Sequence, residues 1–260
     1  MSRWLRLTSA APGRSISVIL VHDSNPLPAT AGETAYERIR HDIVFGGLAP
    51  GSRLKLDRMR LAYGASISTL REILSRLSAE GLILAEGQRG FSVPPVSQQD
   101  FRGIAAMREL LETHAMAMSF RQGDVEWEAA VMAAHHRLTR LEAQMQSGDR
   151  SASEQWKRYD WEFHRALLAA CGSTELLAAH ARIFDLYLRY QMIAVIYRGE
   201  IAATEHRELA AFALARDHEG AAWVLHRHIN ACVEHTIRNG VLPAKPHDAE
   251  ATSEVSGIPR

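Results

Sequence analysis

The chain has 260 residues, 47% of them hydrophobic, which allows one large domain or two ordinary ones with full cores and excludes a disordered chain. Lys plus Arg equals Asp plus Glu, 30 of each, so no global charge announces a nucleic-acid or membrane partner and any such signal must be local. Cys171 and Cys232 lie far apart and outside any CxxC pair, and no apolar run approaches the ~20 residues that span a bilayer, so a cytoplasmic protein with reduced thiols and no membrane partner is expected.

Residues 1–31 carry Ser, Pro, Gly and Ala without a period and end in Asn25-Pro26-Leu27-Pro28, the composition of a disordered tail. The stretch Ile16 to Val21 is too short for the apolar region of a signal peptide. Residues 32–94 change character. Tyr36, Ile39, Ile43 and Val44 recur at helical spacing up to Gly46-Gly47, and Pro50-Gly51 marks a turn. A short helix follows from Leu56 to Tyr63, closed by Gly64. Ser66 is the expected N-cap of a longer helix with Leu70, Ile73, Leu74 and Leu77 on its apolar stripe, ended by Gly81. Leu82 to Ala85 and Phe91 to Val93 read as two short strands around the tip 86–90. Helix, helix, turn, helix, hairpin is the element order of a winged helix-turn-helix.

Pro94-Pro95 reads as a linker. Residues 95–242 are helical almost throughout, with breaks near Gln122-Gly123, Ser147-Gly148, Gly172-Ser173, Gly199 and Asp217 to Gly220. That pattern predicts about six helices in an antiparallel bundle. Residues 243–260 form a polar tail. The fold class is therefore mainly α: an N-terminal winged helix-turn-helix plus a C-terminal all-helical bundle of six to seven helices.

Local charge then points to DNA. Residues 53–76 hold six basic side chains, among them Arg58, Arg60 and Arg71, against Asp57 and Glu72. The second helix of the pair enters the major groove with Ser66, Ser68, Thr69 and Arg71 nearest the bases. Arg71 is the candidate base reader, since Arg suits guanine edges. Arg58 and Arg60 are expected over phosphates, and Gln88 and Arg89 at the wing tip reach the adjacent minor groove. The stretches Leu48-Ala49-Pro50-Gly51-Ser52-Arg53-Leu54, Ser66 to Leu74, Leu77 to Leu82 and Arg89-Gly90-Phe91-Ser92-Val93 together resemble the N-terminal domain of GntR-type regulators over residues 35–94. Ile67 departs from that family, which often has a DNA-contacting Arg directly after the cap Ser.

The bundle carries its own signal. Asp160 and His164 are four apart, a spacing that puts both side chains on one helical face, where they form either a surface ion pair or half of a metal site. His206 and His228 each lie 11 residues from position 217, so a helical hairpin centred there brings them to one height. His228 also falls on the apolar stripe Ala221, Leu225, His228, Cys232, where a polar group needs a partner. Two such pairs favour a shared ligand.

The motif Asp160-x-x-Phe163-His164-x-x-Leu167, the pair Glu205-His206, Asp217 with Ala221, and His228-Ile229 resemble the FCD effector domain of the FadR subfamily of GntR regulators. That resemblance implies a divalent transition metal, Zn²⁺, Ni²⁺ or Mn²⁺, held by Asp160, His164, His206 and His228, with remaining positions open to water or to the carboxylate of an effector. It also implies a homodimer on two-fold symmetric double-stranded DNA, acting as a repressor that a small carboxylate releases. Arg108 matches a recurring Arg of the family and is a candidate for the effector's carboxylate; with Glu112 four residues on, an internal salt bridge is its other reading. A metal-dependent hydrolase or lyase fused to a DNA-binding domain is the alternative. The chain shows no nucleophile motif, phosphate loop or HExxH, and Glu205 points about 100° away from His206 on a helix, so no enzyme is expected.

Overall fold

Two hydrophobic cores joined at Pro94-Pro95 organise the protein in a computed structural model, which describes residues 30–149, 151–193, 197–240 and 242–245. The expected tails therefore fall outside the described residues, apart from 30–31 and 243–245. The N-terminal core is built from α1 (Ala31–Val44), α2 (Leu56–Tyr63), α3 (Ile67–Ala79) and a small antiparallel sheet. Thr30 and Glu33 form a capping box that starts α1. The αL conformation of Gly64 ends α2, and Ser66 accepts a hydrogen bond from Thr69 N to start α3. The break between α2 and α3 is thus written in Gly64 and Ser66, two positions apart.

The sheet has three strands rather than the two read from the sequence. β1 (Arg53–Leu54) pairs with β3 (Phe91–Ser92), which also pairs with β2 (Leu84–Ala85), in the order β1-β3-β2. A two-residue strand has no periodicity to betray it. It forms because Gly51 N donates to Val93 O at 3.0 Å and Val93 N to Ser52 O at 2.9 Å, pinning the turn beside the wing.

Six helices make up the second domain: α4 (Gln98–Gln122), α5 (Val125–Gln146), α6 (Ser153–Leu168), α7 (Thr174–Ile193), α8 (Glu200–Ala215) and α9 (His218–Asn239). Their boundaries fall at the Gly, Ser and Asp breaks. At the last of these, Arg216 is left-handed (φ 60°) and Asp217 caps α9 by accepting from Gly220 N. A Cβ on Gly220 would lie 2.5 Å from the Phe212 ring, so glycine is required where α9 turns back against α8. Beyond α9 the chain continues to pack. Leu242 is buried, and Gln98 N donates to Pro243 O at 2.9 Å.

The two domains share α7. Its Phe184 and Leu188 are buried in the N-terminal core, and its Asp185 pairs with Arg40 of α1. Arg182 Nε donates to Glu80 O at 2.8 Å, and Arg189 donates to Pro94 O. His41 of α1 meets Glu154 of α6 at 2.6 Å. Leu188→Ala is expected to cost about 2–5 kcal/mol in denaturant unfolding. It is also expected to speed proteolysis at Pro94-Pro95, because it empties the DNA-binding domain's core from the neighbouring domain's side.

Candidate metal centre and DNA-facing surface

Four side chains from three helices converge inside the bundle. Asp160 and His164 lie one turn apart on α6, His206 on α8 and His228 on α9. All four are buried, at 0–3% exposure, and offer ligand atoms within 4.8 Å of one another. The α8–α9 hairpin carries His206 and His228 to the same height, with ring centroids 4.8 Å apart. Phe163, fully buried, packs against the rings of His164 and His206.

Each imidazole is held from behind by a different glutamate. His164 Nδ1 lies 2.8 Å from Glu112 Oε2 of α4, His206 Nδ1 lies 2.6 Å from Glu142 Oε1 of α5, and His228 Nδ1 lies 2.9 Å from Glu205 Oε2 of α8. A carboxylate accepts only, so Nδ1 of His164 and of His206 donates to its glutamate and Nε2 turns inward; at His228 Nδ1 the Glu205 carboxylate at 2.9 Å favours the same orientation, with Arg198 Nη2 3.1 Å from the same nitrogen. His164 Nε2 and His206 Nε2 are buried without an aligned hydrogen-bond partner. Asp160 Oδ1 stands 3.2 Å from His206 Nε2 and 3.8 Å from His164 Nε2. Three inward nitrogens and one carboxylate oxygen, two of the nitrogens buried and without an aligned partner, fit a divalent transition metal. Such an ion, once bound, supplies a Lewis-acidic centre with positions left for an anionic oxygen.

Charge distribution in the metal-free centre follows from the same contacts. Burial works against the Asp160 carboxylate, but Lys157, 3.3 Å from Oδ2, and His206 outweigh it and hold its pKa well below the usual range. Burial likewise disfavours charged His206, yet Asp160 and Glu142 on its two faces push it up to about 9. Burial pulls His164 and His228 down, His228 the further of the two. The metal-free cluster therefore holds one imidazolium where an ion would sit.

Of the residues singled out by sequence, Arg108 does not line the cavity beside the cluster. It is 1% exposed, stacks between Phe184 and Tyr187 and donates to Glu112 through Nε at 2.6 Å. The internal salt bridge is the arrangement the chain adopts. Several contributors escaped the sequence reading. Glu112 and Glu142 lie on helices remote in sequence from the histidines they hold. His180 of α7 joins Glu112 Oε1 at 2.8 Å. Glu205 had a visible signal: its 100° offset from His206 turns it onto the neighbouring α9, where it meets His228. Lys157 and Arg198 line the cavity beside the cluster, with Asp160, His206 and His228.

On the winged helix, Arg58, Arg60, Ser66, Ser68, Arg71, Gln88 and Arg89 are exposed and Thr69 is half-buried. Among the described residues none of Arg58, Arg60, Arg71 and Arg89 joins an ion pair, which leaves four cations free. Arg76 is engaged, 3.9 Å over the Tyr36 ring and paired with Glu80. The Ser66 hydroxyl is spent on the cap and on Ser68 and Thr69.

Calorimetric titration of the metal-free protein with Zn²⁺ at neutral pH, in buffers of different ionisation heat, is expected to show about one ion per chain and release of about one proton. His206 must lose its extra proton to ligate, so affinity rises as pH approaches about 9. Binding without proton release would mean that His206 is neutral in the metal-free centre.

Residues 31–93 match the bacterial regulatory proteins of the gntR family, and residues 103–231 match the FCD domain. The chain is 34% identical over 226 residues to the uncharacterized HTH-type transcriptional regulator BphR of Paraburkholderia xenovorans, covering 85% of this chain and 92% of that one. It is 32% identical over 200 residues to the HTH-type transcriptional repressor GlaR of Escherichia coli, covering 75% and 90%. The solved structure of E. coli McbR/YncC superposes with a TM-score of 0.67 over 81% of this chain and 98% of that one, at 22% identity, which speaks to the fold. Among the described residues no helix is long and apolar enough to cross a membrane. The chain belongs to the GntR family of DNA-binding transcriptional regulators, with an FCD domain as its second half, and is a regulator rather than an enzyme.

Proposed function

We propose that the protein is a homodimeric repressor whose operator affinity is lowered when a small carboxylate binds at the metal centre formed by Asp160, His164, His206 and His228. The observation that carries this reading is the set of inward-facing, unpartnered nitrogens beside a cavity lined by Lys157 and Arg198. A buried cation-rich cavity next to a metal suits an anionic ligand. The repressor named among the relatives supports the sign of the response.

Position supports the link to DNA. Glu112 joins metal-facing His164 to His180 of α7, and Arg108 stacks on Phe184 and Tyr187 of the same helix. The other side of α7 packs into the DNA-binding core. A ligand that alters the centre thus acts two contacts away from the helix on which the winged helix rests. It shifts the equilibrium only by the difference in its affinity for the two postures. On the DNA side, α3 lies in the major groove with Arg71 at the bases, flanked by Ser68 and Thr69. Arg58 and Arg60 sit over phosphates, and the Gln88–Arg89 wing tip enters the minor groove. Dimer symmetry calls for a two-fold symmetric operator.

Fluorescence anisotropy with the chain's own upstream DNA tests this reading. Arg71→Ala is expected to weaken binding by about 1–3 kcal/mol and to relax sequence preference, and Arg58→Ala to weaken all sequences alike and reduce the salt slope. A carboxylate that stabilises the metal-loaded protein is expected to release the DNA. Release of equal size from the His206→Ala/His228→Ala variant would overturn the role of the metal centre.

A further inference from the structure

We infer that Ile67 reads the C5 methyl group of a thymine in each operator half-site, about two base pairs from the base that Arg71 contacts. This rests on the reading of α3 as the helix that enters the major groove.

Position comes first. Ile67 is the first residue of α3, directly after the cap Ser66, and the N-terminal residues of a recognition helix are those nearest the base edges. The buried stripe of α3 is Leu70, Ile73, Leu74 and Leu77, and Ile67 lies outside it. Ile67 and Arg71 are four apart, so their side chains leave the helix within about 40° of each other and about 6 Å apart along its axis. Base pairs stack about 3.4 Å apart, so the two side chains meet base edges about two steps apart.

The fold gives Ile67 no reason to be apolar. It is half-buried, and among the described residues the half-buried apolar side chains packed on the N-terminal core, such as Leu48, Leu56 and Phe91, do not include it. A β-branched residue gains nothing in helix propensity either. Its neighbours are engaged with one another. The Ser66 hydroxyl lies 2.8 Å from that of Ser68 and 2.9 Å from that of Thr69. Thr69 turns its methyl toward α1, where a Cβ on Gly32 would stand 3.6 Å from Thr69 Cγ2. Ile67 is therefore the apolar group left free at the tip of α3.

Chemistry then names the target. A base pair shows the major groove donors, acceptors and, on thymine alone, a methyl group. An isoleucine side chain neither donates nor accepts, so the methyl is the one feature it distinguishes. Arg71, one turn on, carries the donors that suit guanine. A half-site with thymine and guanine two steps apart matches the pair.

Replacing thymine by deoxyuridine removes the methyl and leaves base pairing intact. The operator is located by footprinting the full chain on its own upstream DNA, and each thymine of a half-site is replaced in turn while fluorescence anisotropy reads affinity. One thymine per half-site, near the position at which Arg71→Ala relaxes preference, is expected to weaken binding about fourfold when it loses its methyl, and about fifteenfold when both half-sites are changed. Ile67→Ala is expected to bind the thymine and uracil operators alike, at the wild-type affinity for uracil, and Ile67→Val to retain part of the preference. Leu61→Ala, which truncates a 78% exposed side chain of the neighbouring α2, is expected to keep all of it. Wild-type protein indifferent to every uracil, or a thymine preference that survives Ile67→Ala, overturns the Ile67 inference; α3 stays in the groove so long as Arg71→Ala still relaxes sequence preference. Indifference to Arg71→Ala as well overturns both. The uracil scan on wild-type protein decides whether or not the variants fold.

Discussion

Three buried imidazoles can present a lone pair to one point only if the far nitrogen of each has somewhere to donate its proton. Here that constraint is met by three glutamates, and the bundle is arranged around supplying them. Glu112 comes from α4, Glu142 from α5 and Glu205 from α8, so α4 and α5, which contribute none of the four clustered side chains, still decide where His164 and His206 point. Buried carboxylates in turn need partners. Arg108 and His180 hold Glu112, and Arg198 and Arg227 hold Glu205. Against the opposing effect of burial, His228 and then Arg198 keep Glu205 down at about 2, and Arg108 and His164 keep Glu112 well below the usual carboxylate range. The charges of Glu112 and Glu205 behind His164 and His228 are thereby kept at neutral pH.

The same support couples the centre to the rest of the molecule. Glu112 has two faces, one to His164 and one to His180, and Arg108 locks it against Phe184 and Tyr187. Phe184 belongs to the hydrophobic core of the DNA-binding domain although it lies on α7 of the bundle. One helix therefore has a polar contact beside the His/Asp cluster and an apolar side under the winged helix. The contact chain is continuous and short, which is the physical requirement for a ligand at the centre to bias the posture of the DNA-binding domain.

Much of this was legible in the chain itself. The breaks at Gly123, Gly148, Gly172, Gly199 and Asp217 delimit the helices of the bundle because glycine and capping residues act locally. Equal spacing of His206 and His228 from the hairpin sufficed to bring them together, since helical rise fixes height. The Asp160–His164 pair needed only one turn of helix. Beyond local rules the sequence was silent. No periodicity relates Glu112 to His164, 52 residues away, or Glu142 to His206, 64 away. Those contacts exist only once helices pack. Arg108 shows the opposite limit: its residue type suggested a ligand contact, while its helical neighbour Glu112 and two aromatic rings claimed it. The strand Arg53–Leu54 was missed because two residues carry no pattern.

The tautomer constraint is open to direct observation. Long-range ¹⁵N–¹H correlation spectra of the zinc-loaded protein report which nitrogen of each imidazole carries the proton. His164, His206 and His228 are expected to show a protonated Nδ1 and a metal-coordinated Nε2, all three alike. A proton on Nε2 of any of them, or the exchange-averaged signals of an unbound imidazole, would contradict the account of a centre oriented by its glutamates.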